Sequence, residues 1–506
     1  MTRKNKRKAE REPDGAPDGH KVSLVPDTVI TDPEILKRTI LAPFYNRIQA
    51  DANTIAHLQD ELRGLRSGNQ IEQPDPDISP AKLPQAHPLA TQIRQTLDDP
   101  APDESIHLCG LAPLRIIDNR PHDVLALAKE KLHAWPFNDV PTCWRRLYEE
   151  ASLYIVVDLL DRIAANFFAE HVDTLVAIIK QLDAAVVVAG APGRKELIEE
   201  VLKQLEDPLS HVSIPEWPRG WIVQRPSSLQ TNFSIPRASY IWAIDCFQIH
   251  LNNTASPVII PSALIEWPAM ELWQDPNYLR QRTLGGHRTV PVEIGEHYLD
   301  PSWNQELMTF NEFATEFLLP EHPQHTGYLA QHDLFAQIPA LRNDIQIPDY
   351  CYTHPPRARG AAAHTAGLAT TKKLTEPLLH AWLGPKGTKT PLHTDPYHNI
   401  LCQVVGYKYV RLYPPTETEK LYPSGITGAG IDMRNNSQVD VSQCRPDRAT
   451  TDLDKLRETQ WKFPLFQEAK YVEAILGPGE SLYVPLGWWH FVESLTVSFS
   501  VSFWWN

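Results

Sequence analysis

In 506 residues no apolar run approaches the roughly 20 that a membrane-spanning helix needs, so no membrane partner is expected. Nothing apolar follows the positive charges of "MTRKNKRKAEREP", so the start is not a secretory signal. Cysteine is sparse. Cys109, Cys143, Cys246, Cys351, Cys402 and Cys444 lie far apart with no CxxC pair. That spacing argues against a disulfide framework and a structural zinc site, and suits a reducing compartment. Positive charge is in deficit: the net charge of -14 argues against a general nucleic-acid-binding surface, and no direct nucleic-acid binding is expected. There is no phosphate loop either, because "GPKGTKT" (384–390) misses the Walker spacing, and no defensible Ser/His/Asp arrangement.

The remainder is ordinary for a globular protein, with 42% hydrophobic and 22% charged residues and length enough for two or three domains. The charge is uneven. Residues 1–11 set six basic side chains against Glu10, a local +5 that leaves -19 for the rest. Such a cluster reads either as a nuclear-import signal or as a solvated tail, so a nuclear and/or cytoplasmic location is expected.

The expected architecture is α+β, an N-terminal all-helical domain followed by a β domain with surrounding helices. Residues 1–30 lack periodicity and read as a disordered basic tail. The spacing over 31–210 is helical: Ile48, Ile55, Leu58, Leu62 and Leu65 recur at helical intervals, and after a Pro-rich break at 73–88 come "HDVLALAKEKLHAW", "WRRLYEEASLYIVVDLLDRIAANFF" and "RKELIEEVLKQLED". Residues 211–236 read as a linker. From 237 to 506 short Val/Ile/Tyr/Trp-rich runs alternate with Pro and Gly, the texture of a β-sandwich or barrel. Within that half, 353–376 reads as a low-complexity loop and 445–470 as a polar insertion.

Chemistry concentrates in "TKTPLHTDPYHNILCQVVGYKYVRLYPP" (388–415). Alternation puts Lys408 on one face with Val410 and Leu412, and Tyr407, Tyr409, Arg411 and Tyr413 on the other. A lysine on an apolar face costs free energy unless its charge finds a partner. It is either a snorkelling side chain near a strand end or a buried cation awaiting an anionic ligand. His393 and Asp395 share a face of an extended segment and can clip a metal from a single strand. HxD alone is weak, as His171-Val-Asp173 shows: helical periodicity there would point its two ends apart. A third ligand, His490 from "GWWH", would complete a 2-His-1-carboxylate triad that leaves coordination positions open on Fe(II). Its alternative is a satisfied core histidine. In the final strand Leu495, Val497, Phe499, Val501 and Phe503 form an apolar face. Thr496, Ser498, Ser500, Ser502 and Trp504 form a face that would meet either water or a polar cofactor.

Taken together these stretches resemble the JmjC branch of the Fe(II)/2-oxoglutarate oxygenases. The resemblance runs through roughly 237–506 and is carried by "RTVPVEIG" (288–295), "MTFNEF", "GYLAQHDLF", "IPDYC", "AWLGPKGTKTPLHTDP", "GYKYVRLYPP", "NNSQVDV" and "SLTVSFSVSFWWN". It implies a double-stranded β-helix core, Fe(II) as cofactor, and 2-oxoglutarate and O2 as cosubstrates, with release of succinate and CO2. It implies His393, Asp395 and His490 as metal ligands, and Lys408 as partner of the distal cosubstrate carboxylate. Tyr328, Thr390 and Asn399 match positions that hydrogen-bond the cosubstrate, and Trp504 one that walls its pocket. Threonine at 390 keeps the hydroxyl of the more familiar serine.

For the substrate, Glu293, Tyr298 and Trp382 match positions that hold the target side chain. A carboxylate takes a guanidinium through two parallel hydrogen bonds, and aromatic faces stack on its plane. Arginine C-3 hydroxylation in a basic protein is therefore the first reading and methyl-lysine demethylation the second. A catalytically silent binding module is a third, and a cupin enzyme independent of 2-oxoglutarate leaves Lys408 unexplained. The chain stops directly after the last strand, so a monomer is expected.

Overall fold

The computed structural model describes residues 87–98, 104–135, 139–163, 171–206, 209, 216–297, 299, 303–355, 371–426, 432–444 and 453–506. The basic tail, the expected helix over 48–65, nearly all of the Pro-rich break and most of the 353–376 loop lie outside them. Residues 84–506 form one compact unit.

The longer helices that come first among the described residues are α1 (Pro88–Asp98), α2 (Pro121–His133), α3 (Thr142–Asp161), α4 (Val172–Ala189) and α5 (Lys195–Gln204). Their apolar spacing is what makes them pack. In α4, Leu175, Ile178, Ile179, Leu182, Ala185 and Ala189 recur at three- and four-residue intervals and are buried. The helix stops at Gly190, whose φ of 79° is the left-handed cap that glycine adopts freely. Proline at the first position of α2 and Lys131 and His133 in its last turn complement the two helix ends. His171 is the N-cap of α4 and Asp173 lies in its first turn, so this HxD triplet serves a helix start.

The strands are β1 (Val258–Ile260), β2 (Thr289–Ile294), β3 (Asn304–Thr309), β4 (Gly327–His332), β5 (Leu378–Gly384), β6 (Lys389–His393), β7 (His398–Val405), β8 (Lys408–Tyr413), β9 (Val472–Leu476), β10 (Ser481–Val484), β11 (Trp489–Ser494) and β12 (Ser498–Trp505). They form an eight-stranded sheet, β1-β10-β7-β12-β5-β4-β2-β3, and a four-stranded sheet, β6-β11-β8-β9. Every strand pairing is antiparallel. This is the double-stranded β-helix in an α+β chain. Val410, Leu412, Leu401, Leu482 and Val484 pack in its interior.

Both outer faces are covered. Against the large sheet lie helix α6 (Ile244–Asn253), through Phe247 and Leu251, and Trp273, which stacks on Phe499 with ring centroids 4.3 Å apart. Against the small sheet, Tyr409, Tyr413 and Phe491 meet Phe463, Phe466 and Ala469. The expected polar insertion thus contains helix α7 (Leu453–Lys462) and an apolar anchor behind it, a pattern that its charged composition conceals. The expected linker also departs from a free tether: Trp217 and Ile235 are buried, and Ser234 bridges to Glu473. All six cysteines are free, and among the described residues no helix is long and apolar enough to cross a membrane.

Candidate active site

The site begins with a register. β11 pairs with β6 so that His490 stands directly opposite His393, and their rings lie 4.2 Å apart. The turn before β11 is closed by Gly487 at φ 76°, which brings the chain round to deliver His490. Asp395 lies just beyond the end of β6. There the 435–437 segment runs alongside: Thr394 N–H donates to the Asn435 carbonyl at 2.9 Å and Ser437 N–H to the Leu392 carbonyl at 2.8 Å. In the sequence "NNS" is marked only by the family resemblance, because its backbone role here has no signal in side-chain chemistry.

One donor atom from each of His393, Asp395 and His490 lies within 4.8 Å of the other two, and among the described residues no other such group exists. His393 Nδ1–H donates to the Pro391 carbonyl at 2.8 Å and His490 Nδ1–H to the Trp488 carbonyl at 3.1 Å. Those bonds fix the tautomer that leaves each Nε2 lone pair free. The free nitrogens face Asp395, His393 Nε2 at 3.5 Å from Oδ1 and His490 Nε2 at 3.3 Å from Oδ2. Burial pushes the Asp395 carboxyl up, but the two imidazoles outweigh it and hold the group well below the usual carboxylate range. Two imidazole nitrogens and one carboxylate converging on a single point are a donor set that fits Fe(II), with further positions open to ligands.

Beside the triad lies a narrow cleft. Of the residues expected at the site, Tyr328, Trp382, Thr390, His393, Asp395, Asn399, Lys408 and His490 line it. Lys408 is 1% exposed, and among the described residues only the Tyr328 hydroxyl accepts from it, at 3.2 Å. Burial lowers the Lys408 pKa to about 7. Burial also raises the Tyr328 phenol, against a hydrogen bond from Thr390. Asn399 Oδ1 is buried without a partner. A buried lysine with no carboxylate partner and two hydroxyls in one pocket fit a polar dianion such as 2-oxoglutarate, which would draw the lysine into its charged form.

Three expectations fare differently. Trp504 is not in the cleft wall: it pairs with Asn399 across β7–β12 and packs between Tyr397 and His380. The residue of its face that reaches the cleft is Ser502, which accepts from Trp382 Nε1–H at 2.9 Å. Ser498 and Ser500 on that face bond to Gln403 instead. Glu293 does not line the cleft but pairs with Tyr328 across β2–β4, while Tyr298 lies outside the described residues. The sequence reading also missed the apolar wall, to which Leu401, Leu482, Val484 and Val492 contribute. Strand alternation carries this signal once β7 and β10 are known to be neighbours in one sheet and β11 a strand of the other.

Comparison with known proteins agrees with the geometry. A family model described as a cupin-like domain matches residues 246–506. The chain is 41% identical over 280 residues to a Xenopus tropicalis protein named lysine-specific demethylase 8, a match spanning 55% of this chain and 54% of that one. It is 35% identical over 408 residues to the Arabidopsis thaliana lysine-specific demethylase JMJ30, covering 75% of this chain and 84% of the relative. A more distant human relative, named bifunctional peptidase and (3S)-lysyl hydroxylase JMJD7, is 24% identical over 49% of this chain and 77% of its own length. The chain belongs to the JmjC branch of the cupin-like proteins, 2-oxoglutarate-dependent dioxygenases that use Fe(II) and O2.

Proposed function

We propose that this enzyme hydroxylates C-3 of an arginine side chain in a basic protein. In this reading His393, Asp395 and His490 hold Fe(II), Lys408 neutralises the distal carboxylate of 2-oxoglutarate, and Tyr328, Thr390 and Asn399 orient it. The chemistry supplied by Fe(II), 2-oxoglutarate and O2 is oxidative decarboxylation to succinate and CO2, coupled to insertion of one oxygen atom into a C–H bond. The protein's share is the placement of the target carbon beside the triad and the exclusion of water.

Glu293 carries the choice of arginine. It sits on β2 beside Tyr328, only partly open to water, and among the described residues no lysine or arginine pairs with it. Burial pushes its carboxyl up; the Trp303 indole N–H favours the charged form without reaching good hydrogen-bond geometry. A carboxylate in that position gains most from a bidentate cation, and Trp382 offers a ring face nearby. The net charge of -14 favours basic partners. The demethylase names of the relatives and the Tyr328–Trp382 ring pair, 5.9 Å between centroids, support methyl-lysine as the second reading. A silent module would have no use for a converging triad beside an uncompensated lysine. A location in nucleus or cytoplasm accords with the basic N-terminal cluster.

The test incubates the full chain with Fe(II), 2-oxoglutarate and basic peptides containing arginine or methyl-lysine. Gain of one oxygen atom, placed on arginine by fragmentation mass spectrometry and abolished in His393→Ala, is expected. Loss of methyl groups from lysine instead overturns the ranking.

A further inference from the structure

β2 carries Glu293 near one end, and the helical layer holds its other end. Along one edge β2 pairs with β3 over its full length, from Thr289–Thr309 to Ile294–Asn304. Along the other it pairs with β4 at only two positions, Glu293–Tyr328 and Ile294–Gly327. On that second edge Pro291 has no N–H to offer, and at Thr289 no strand is in register.

Side chains take the strand's place. Asp183, from α4, accepts the Thr289 backbone N–H through Oδ2 at 2.6 Å. Gln337 Nε2 donates to the Thr289 carbonyl at 2.7 Å and to Asp183 Oδ1 at 2.9 Å. Arg288 Nε and Nη2 grip the same carboxylate at 2.9 and 2.7 Å, and Nη2 also donates to the Gln337 carbonyl at 2.8 Å. Gln337 Oε1 lies 2.7 Å from His332 Nε2, at the end of β4. Asp183 and Thr289 are fully buried and Arg288 and Gln337 nearly so.

We infer that Asp183 is a positioning residue for substrate recognition: from the helical layer it fixes the start of β2 and thereby the placement of Glu293. A buried carboxylate taking donors from a guanidinium, an amide and a backbone N–H has one low-energy position, which is the kind of registry that buried ion pairs impose. Glu293 lies four residues on, about 13 Å along a stiff strand, so a shift at Thr289 reaches it. The helical layer thus takes part in recognition without touching the substrate. This rests on the reading of Glu293 as the arginine anchor.

The test uses the full chain and two variants. Asp183→Asn keeps an acceptor for Thr289 but leaves Arg288 buried and uncompensated. Asp183→Leu with Arg288→Met removes both charges together, so the fold is retained even where the single change is not tolerated. In both, the peptide KM is expected to rise about tenfold, while uncoupled succinate formation and the 2-oxoglutarate KM stay within about twofold. Asp183→Asn combined with Glu293→Gln should cost less than the sum of the two. An unchanged peptide KM in the folded paired variant overturns the inference. So does a parallel rise in both KM values, the mark of general loosening. Glu293→Gln alone separates the two readings. No effect there overturns the anchor and this inference with it, whereas an effect there but none in the Asp183 variants overturns this inference alone.

Discussion

Lys408 is placed at a cost in free energy to the ligand-free protein. The unfolded chain titrates it near the ordinary 10.5, the folded chain at about 7, because burial disfavours the ammonium. Between those values the unfolded state holds a proton that the folded state has released, so ligand-free stability rises with pH across the window. Below about 7 the full penalty is present. Lys408→Met should therefore stabilise the ligand-free protein at pH 7 by on the order of 2–4 kcal/mol in denaturant unfolding, while abolishing 2-oxoglutarate binding. A cosubstrate carboxylate restores the charged form. Above pH 7 binding should then take up a proton and weaken by up to about tenfold per pH unit, read by calorimetry in buffers of different ionisation heat. The oddity of Lys408 was legible in sequence because the two-residue period of a strand ties each side chain to a face. Its partner Tyr328 was not legible by periodicity, since β4 comes to β8 only through the fold.

At the scale of elements, the Gly406–Tyr407 corner decides where β8 begins. Gly406 has φ 72°, and a Cβ there would fall 1.9 Å from the Val497 carbonyl oxygen. Gly406→Ala should cost on the order of 3 kcal/mol in thermal or urea unfolding, from strain plus the displacement of that backbone. The same close approach explains a boundary that alternation alone misplaced. The apolar face of the last strand reads as continuous from Leu495, yet β12 starts at Ser498, and Leu495 packs against the cluster outside the small sheet. Arg411 shows a second limit. Its face was legible, but its partner, Glu473 at 3.0 Å, lies on β9 directly opposite it, beyond a long insertion in the chain.

Within the compact unit that spans residues 84–506 the described helices, the large sheet, the barrel interior and the small sheet form successive layers, and the candidate site lies within the barrel. Ligands that bind only this folded arrangement should stabilise all of it. A redox-inert divalent ion with 2-oxoglutarate at about a hundredfold above its Kd should add about 2.7 kcal/mol, seen as a higher melting temperature. His393→Ala should lose the increment that depends on the metal. The helical spacing of α2 to α5 was readable because one apolar face repeats within each segment. The way α4 meets β2 was not, because a single aspartate in a helix carries no mark of the arginine it will face.

By itself the sequence determined which side chains share a face: His393 with Asp395, and Lys408 with Val410 and Leu412. Such relations depend only on local backbone geometry. Tertiary structure alone decided that His490 stands opposite His393, that Asn399 and Tyr328 meet Lys408 in one cleft, that Trp504 sits beside Asn399 without lining that cleft, and that Asp183 braces β2. Those placements depend on strand register and layer packing across distant parts of the chain. They are set by the burial of whole faces, which no local pattern encodes.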